Sequence, residues 1–282
     1  MIQTITSVLR ECERQVSELG FVRKKDKFYR FVGDVYQTFT LEKIWGGREW
    51  RILFGVYPLC MKLTHVPSGY YYSTDFSTEE YQPGLFFEES ENSYRKLIDF
   101  IKGNMIPFFK NAVSSDSLLK HLPALENVLR NVYRARGAVI EDREIGGIPC
   151  HLVENQRILY YLLLKFHQYD TARLFIDNFI EHYEKLILDD DRRLKAELAS
   201  EDSSPKRELS FPYNLIDRNV RKKLKKKSIQ TFKSRLKAFF EELEYFRTAA
   251  EMADSGNYSY FEEQLRENEE NTARLLGIKT KL

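Results

Sequence analysis

The stretch KFYRFVGDVYQTFTLEKIWGGREWRILFGVYP, residues 27–58, decides the fold of the first part of this chain. Apolar and other residues alternate along it, most regularly over residues 50–56. Period-two alternation rich in aromatic and β-branched residues is typical of half-buried strands. The pairs Gly33-Asp34 and Gly46-Gly47 interrupt it and supply the residues that tight hairpin turns require. The stretch therefore predicts three consecutive strands that form an antiparallel meander.

A sheet of three strands with one apolar face needs other elements to cover it. Residues 2–19 place apolar side chains at spacings of three and four, which is the pattern of an amphipathic helix. Helical patterns return after the meander, from about Ser90 onward, and continue almost to the C-terminus. We therefore expect an α+β fold, with an N-terminal antiparallel β-meander covered by helices and a mainly α-helical C-terminal region.

The change from strands to helices divides the chain into two predicted parts. An α+β domain is expected over residues 1–125, and a mainly helical region over residues 126–282. In the second part, Gly146-Gly147 separates two short β-branched runs, which indicates a small hairpin within residues 138–153. The polar run at residues 199–206 is typical of an exposed loop.

The composition of the 282 residues is that of an ordinary globular protein with a high aromatic share of 14%. The formal net charge is only +2, so the charge of the whole molecule favours neither nucleic acid nor a basic partner. Three widely separated cysteines argue against a disulfide scaffold and for a reducing compartment. The N-terminus has charges where a signal peptide needs an apolar run, and no stretch approaches the length of a membrane span. We therefore expect a cytoplasmic protein with no membrane partner.

Roughly residues 1–125 resemble a known family. The matching segments are the end of the first helix, the strands of the meander and the helices after it, namely Leu19-Gly20-Phe21, Phe28-Tyr29-Arg30, residues 35–43, Gly46-Gly47, residues 52–58, residues 106–109 and residues 115–122. In these positions the chain resembles an uncharacterised bacterial family, domain of unknown function 4304. The resemblance implies an α+β domain of bacterial type. It implies no catalytic residues, because that family has no established activity.

Aromatic residues near the second glycine pair are candidates for a partner-binding surface, because Trp and Tyr dominate binding hot spots. The candidates are Trp45, Tyr57, Tyr70, Tyr71 and Tyr72. The alternative is that these side chains fill the core, as aromatic side chains commonly do. Trp45 is expected to be more exposed than Trp50, because it adjoins the glycines of the turn.

The strongest charge feature is a basic segment, residues 206–237, in which twelve Lys and Arg residues accompany two acids. Its centre carries a second set of candidate binding residues: Arg221, Lys222, Lys223, Lys225, Lys226 and Lys227. Such a segment can bind nucleic-acid phosphates or an acidic protein, or it can form a solvated helix face. Residues 241–270 hold ten acids and two bases, so the two segments would partly neutralise each other if the last two helices folded back antiparallel.

Motifs for catalysis, cofactors and metals are absent from the sequence. It contains no GxSxG, no P-loop and no GxGxxG, and its five histidines lack the paired spacing of metal ligands. The run Asp189-Asp190-Asp191 lacks the spaced oxygen ligands and glycine of a calcium loop. We therefore expect no catalytic residue, no cofactor and no metal, and an enzyme is the less favoured interpretation.

The function expected first is a non-enzymatic cytoplasmic protein-interaction module, an accessory or immunity-type protein whose partner is another protein. The first alternative is a nucleic-acid-associated protein that uses the basic segment. The second is an enzyme whose site is assembled from scattered residues. An exposed sheet face with Trp45 would favour the interaction module. An unneutralised basic stripe would favour the nucleic-acid-associated protein, and a concave pocket with several carboxylates or histidines would favour the enzyme.

Overall fold

The computed structural model describes residues 4–44, 49–63, 72–74, 87–88, 91–134, 144–149, 153–199 and 218–278. The strands within these residues are β1 (Val22–Lys24), β2 (Lys27–Val32), β3 (Val35–Ile44), β4 (Glu49–Pro58), β5 (Tyr72–Thr74), β6 (Phe87–Glu88), β7 (Glu144–Ile145) and β8 (Ile148–Pro149). The α-helices are α1 (Ile5–Val16), α2 (Glu91–Phe100), α3 (Ile106–Asn111), α4 (Ser115–Arg134), α5 (Val153–Lys165), α6 (Tyr169–Ala199), α7 (Arg218–Asp254) and α8 (Ser259–Leu276). A 3₁₀ turn, Ser17–Leu19, follows α1, and a π-helical segment, Ile101–Met105, joins α2 to α3.

The first four strands form a continuous antiparallel meander in the order β1-β2-β3-β4. β5 and β6 both pair with β4, so they extend the sheet beyond the meander. The β2–β3 turn places Gly33 at a φ of 55°, which glycine adopts without steric cost. β3 and β4 pair along their whole length, from Val35 opposite Pro58 to Ile44 opposite Glu49. The predicted α+β fold with an N-terminal meander is therefore confirmed, while Gly46-Gly47 lies outside the described residues.

One face of the sheet carries a layer of phenylalanines under the helices. Phe28 and Phe39 stack with their ring centroids 4.4 Å apart. Phe54 lies on the same layer and meets Phe109 of α3 at 6.2 Å. All four rings are buried, as is the inner stripe of α1, and these contacts supply the helical cover that the alternation predicts.

A pair of polar residues ties this sheet to the ends of the helices. Arg30 on β2 lies opposite Gln37 on β3, and its Nε donates to the Gln37 side-chain oxygen at 2.7 Å. The amide nitrogen of Gln37 donates to the backbone carbonyls of Phe109 at 2.9 Å and Ala112 at 2.6 Å. Arg30 also donates to the carbonyls of Leu19 and Phe109. Carbonyls at helix ends have no intrahelical partner, so these two side chains satisfy groups that would otherwise be buried unpaired.

The residues form two compact units that do not coincide with the predicted division at residue 125. The first unit contains residues 1–172 and 259–282, and the second contains residues 173–258. Residue 125 falls inside α4, which is continuous. The middle of α5 is buried on all sides and packs against α4, α8 and β4. A helix that is apolar all round needs neighbours on every side, and α5 therefore joins the N-terminal sheet to the last helix of the chain.

The second unit is an antiparallel pair formed by α6 and α7. Arg173 near the start of α6 binds Asp254 at the end of α7, with 2.8 Å between Nε and Oδ1. Farther along, Phe179 stacks on Phe246, with ring centroids 4.5 Å apart. Asp190 in turn binds Arg235, with 2.7 Å between Oδ1 and Nη2. Residue numbers rise along α6 as they fall along α7, which establishes the antiparallel direction. The predicted loop at residues 199–206 follows Ala199 and lies outside the described residues.

Candidate functional site

The aromatic candidates do not form one surface in the part of the chain that the structure describes. Trp45, Tyr70 and Tyr71 lie outside the described residues, and Tyr72 begins β5 opposite Phe54. Tyr57 is fully buried on β4, so its inclusion in an exposed contact surface is wrong.

The burial of Tyr57 has a local cause. Its ring lies over Gly55, where a Cβ atom would come within 2.8 Å of the tyrosine hydroxyl oxygen. Leu53, two residues before Gly55 on the same face of β4, is buried as well. Since α5 packs against β4, both faces of this strand are covered. The alternation of the sequence indicates one buried face and does not reveal that the other is buried as well.

The basic candidates all lie near the start of α7. Lys223, Lys226 and Lys227 are exposed, and Lys225 is half-buried. α7 continues through a polar stretch with Gln230, Thr231 and Ser234 at spacings that keep them on the side of Lys227. We call Lys223, Lys226, Lys227, Gln230, Thr231 and Ser234 the polar face of α7. These residues, with Arg235 and Ala238, line an open cavity of about 770 Å³.

The polar face points away from α6. The residues of α7 that meet α6 include Phe239, Leu243 and Phe246, which are half-buried or buried. With 100° between consecutive helical residues, Lys227 and Ser234 lie roughly opposite this apolar stripe. The same helix therefore uses one side to hold the helix pair together and presents the other side outward.

The start of α7 also extends past the described end of its partner helix. Asp190 is level with Arg235, so Ala199, nine residues later on α6, is level with about residue 226. Residues 218–224, about 10 Å of helix, lie beyond that point. By this register, the described part of α6 does not extend alongside residues 218–224. The densest basic run of the chain therefore begins beyond the described end of α6.

Ion pairs join many charged side chains of the second unit, but several lysines near the start of α7 form none with the described residues. Arg173 binds Asp254 and Asp177, and Arg247 binds Glu184 at 2.9 Å. At the opposite end, Lys223, Lys226, Lys227 and Lys233 form no ion pair with any residue that the structure describes. Exposed pairs add little stability, but they do cancel charge. The uncompensated lysines leave a positive surface at the start of α7.

The helix dipole reinforces this positive surface. The backbone N–H groups at the start of a helix carry a partial positive charge, which favours acidic side chains there. α7 has no acidic residue in its first turn and has a dense run of Lys and Arg soon after it. The local charges thus oppose the dipole rule, and such departures are expected where a sequence serves a ligand. A bound anion would be attracted by both the lysines and the backbone.

Acidic side chains of residues 241–270 form described ion pairs both with bases outside the basic segment and with the last residue of that segment. Asp254 binds Arg173, and Glu269 binds Lys165 at 2.7 Å. Lys237 and Glu241, one turn apart on α7, form a pair of 3.7 Å that joins the two charged segments locally. The described contacts therefore do not place the acidic segment against Lys223, Lys226 or Lys227.

A second polar cluster, which the sequence does not indicate, lies in the first unit. The Lys165 ammonium at the end of α5 contacts Asp34 of the β2–β3 turn at 2.9 Å and Glu269 of α8 at 2.7 Å. Ser115 at the start of α4 donates its backbone N–H to the other Asp34 oxygen at 2.8 Å. Nearby, the Thr272 hydroxyl on α8 donates to the Met61 carbonyl at 2.9 Å. Four elements far apart in sequence meet in this cluster.

The protonation states of this cluster suit structure rather than catalysis. Burial disfavours the charge on Lys165, but hydrogen bonds to Glu269 and Asp34 outweigh it and raise the pKa of the lysine. Burial works to raise the pKa of Asp34, yet hydrogen bonds from Ser115 and Lys165 lower it on balance. Burial also raises the pKa of the adjacent Cys60 thiol to about 12. A fixed cation between two carboxylates and a protonated thiol offer neither a base nor a nucleophile near neutral pH.

The described residues contain no group of three or more His, Cys, Asp or Glu side chains that could hold a metal ion. None of the helices within those residues combines the length and apolar character needed to cross a bilayer. Comparison of the chain with protein-family models, with curated protein sequences and with solved structures gives no match. The resemblance of residues 1–125 to domain of unknown function 4304 therefore stays a prediction.

Proposed function

We propose that this protein binds nucleic acid through the sugar–phosphate backbone, using the polar face of α7. The observation that carries the proposal is the set of exposed, uncompensated lysines Lys223, Lys226 and Lys227 beside hydroxyl and amide side chains. Lys, Ser, Thr and Gln side chains are among the usual donors to phosphate oxygens. Their row along one helix face matches the repeating negative charge of a phosphate chain.

The composition of the face favours nucleic acid over an acidic protein. Protein–protein interfaces are depleted in Lys, Ser and Ala at their centres and enriched in aromatic residues. The polar face contains Lys223, Gln230, Thr231 and Ser234, with Ala238 beside them, and no aromatic residue. Its donors are suited to oxygen atoms of a charged chain rather than to a packed apolar patch. Contacts to the sugar–phosphate backbone carry no sequence information directly, so we expect no sequence preference.

The interaction module expected from the aromatic residues stays a prediction, since Trp45, Tyr70 and Tyr71 lie outside the described residues. A pull-down with and without nuclease separates the two functions. The proposal for nucleic acid requires that captured partners are lost on nuclease treatment. A protein partner retained after nuclease treatment, in the absence of oligonucleotide binding, would support the interaction module instead.

The direct test is fluorescence anisotropy with a labelled 20-nucleotide oligonucleotide at a series of salt concentrations. The variant Lys223→Gln/Lys226→Gln/Lys227→Gln removes three exposed charges and no ion pair within the described part of the chain. We expect weaker binding and a log–log salt slope smaller by about 2, since each phosphate contact to a single strand contributes about 0.7. The matched control, Lys24→Gln/Lys110→Gln/Lys185→Gln, removes three exposed lysines from other elements.

The control variant should bind like the unmodified protein. The proposal fails if the unmodified protein does not bind at about 50 mM salt, where phosphate contacts are strong. It also fails if the control variant loses as much affinity as the α7 variant, because the binding would then follow total charge rather than this helix.

A further inference from the structure

Phe240 is an exposed aromatic residue next to the polar face of α7. Its side chain is 53% exposed, although its neighbours Phe239 and Leu243 are turned toward α6. The Phe239 ring lies 6.1 Å from the ring of Tyr183 on α6. Two adjacent phenylalanines therefore have different roles: one packs in the helix pair and the other presents a ring to solvent.

Exposed lysines lead up to Phe240 along the helix. Lys237 precedes it by three residues and Lys233 by seven, so both lie on its side of α7, and both are exposed. Lys226 continues the row seven residues earlier. The row from Lys226 to Phe240 spans fourteen residues, about 21 Å of helix. An aromatic ring at one end of a lysine row combines the two contacts that single-stranded nucleic acid needs, a charged track for phosphates and a platform for a base.

The acidic side chains around Phe240 set the direction of the track. Glu241 and Glu244 are exposed one residue and one turn beyond Phe240, and Arg247 pairs with Glu244 at 3.5 Å and with Glu184 at 2.9 Å. Beyond Phe240 these described pairs cancel positive charge, so that part of α7 offers less attraction to phosphates than the lysines on its N-terminal side. Lys237 pairs with Glu241 at 3.7 Å, so a strand whose base meets Phe240 is held mainly by Lys233 and Lys226 and follows the helix toward its N-terminus.

From this arrangement we infer that Phe240 stacks on an unpaired base and that the preferred ligand is single-stranded nucleic acid. The inference rests on the proposed function, and it adds the strand state of the ligand and a residue outside the polar face. In a duplex the bases are paired and stacked on each other, so no base face is available to a side chain on one helix. Every base has such a face in a single strand, so this contact discriminates strand state and not sequence.

The test measures the affinity of the full chain for one labelled oligonucleotide, first alone and then annealed to its complement. We expect tighter binding of the single strand. Phe240→Ala should weaken single-strand binding at least about 5-fold, the change that corresponds to a loss of about 1 kcal/mol of stacking. The salt slope should not change, because no charge is removed. Phe240→Tyr should retain affinity and Phe240→Leu should not, since stacking requires an aromatic ring and not merely an apolar side chain.

Leu188→Ala is the matched control, because Leu188 is also an exposed apolar residue of the second unit, 59% exposed on α6. It should leave affinity unchanged. Circular dichroism and thermal melting of every variant establish that the exposed substitutions leave the fold intact. A Phe240→Ala variant that is folded and binds the single strand like the unmodified protein overturns the inference.

The two proposals fail in different ways. If the lysine triple variant loses affinity while Phe240→Ala has no effect and duplex binds as well as single strand, backbone binding stands and base stacking is overturned. If no oligonucleotide binds, both are overturned. Polyglutamate serves as a probe for binding of an acidic protein. If it competes with the oligonucleotide at equal charge concentration, both proposals are overturned, because the polar face of α7 would then recognise charge alone.

Discussion

The substitution Gln37→Ala tests whether buried polar contacts between β3 and the helix ends stabilise the N-terminal sheet. Gln37 is fully buried, and its side chain makes three hydrogen bonds: one from Arg30 and two to the carbonyls of Phe109 and Ala112. After the substitution, Phe109 keeps its bond from Arg30. The Ala112 carbonyl and the Arg30 Nε both lose the partner that Gln37 provides.

The cost follows from these two groups. A buried donor or acceptor that loses its partner costs about 1–3 kcal/mol, so we expect a loss of about 3 kcal/mol in the free energy of unfolding. That is a large fraction of the roughly 5–15 kcal/mol that stabilises a typical domain. With a denaturant dependence of about 2 kcal/mol per molar urea, the unfolding midpoint should fall by about 1.5 M.

Tryptophan fluorescence during urea unfolding reports on the first compact unit, which contains Gln37. The chain has two tryptophans within residues 1–172, and Trp50 lies on β4 of the first compact unit. The control is Gln15→Ala, which removes a half-buried glutamine whose amide donates to Glu11 one turn away on α1 and should change stability by less than about 0.5 kcal/mol. If Gln37→Ala costs no more than Gln15→Ala, the carbonyls are satisfied in another way and the reasoning is wrong.

Two further predictions concern ion pairs of the first unit. Lys165→Met leaves Asp34 and Glu269 without their shared cation and should lower the free energy of unfolding in urea by about 1–2 kcal/mol. The control Lys120→Met breaks an exposed pair within α4 and should lower it by less than about 0.5 kcal/mol, and equal losses would contradict a structural role for the cluster. The Arg14 guanidinium lowers the pKa of Glu11 to about 2 from its usual 4.5, so its contribution to stability is present above pH 4.5 and is lost as the pH falls toward 2. Unfolding free energies measured from pH 6 to pH 2 should therefore fall less steeply for Glu11→Gln than for the unmodified chain, and identical profiles would refute this assignment.

Local patterns predict the main elements of this protein, but not the short strands β1 and β6 or the π-helical segment. The alternation over residues 27–58 predicts the meander, and spacings of three and four predict α1 and the long C-terminal helices. The structure agrees on these elements because side-chain periodicity reflects the geometry of a single strand or helix. The basic run could also be placed on a helix from the sequence.

Such patterns predict only part of the candidate site. The lysines at the start of α7 stand out by composition, but the sequence does not tell whether acids neutralise them. Phe239 and Phe240 are adjacent residues of the same type, so the sequence does not distinguish them. Only the packing of α7 on α6 shows that the Phe239 ring is half-buried and the Phe240 ring is exposed. Tyr57 was misassigned because the second cover of β4 comes from α5, about a hundred residues away in sequence.

The sequence by itself determined the three strands of residues 27–58, the main helices and the position of the basic run, because each of these depends on residues that are neighbours along the chain. The tertiary structure alone decided that α8 returns to the N-terminal sheet, where Glu269 meets Lys165 and Thr272 meets Met61. It also decided which charges of α7 are compensated and which aromatic residue of the helix faces solvent. Contacts between residues so far apart impose no period on the sequence, so burial and ion pairing at those positions become visible only when the elements are packed together.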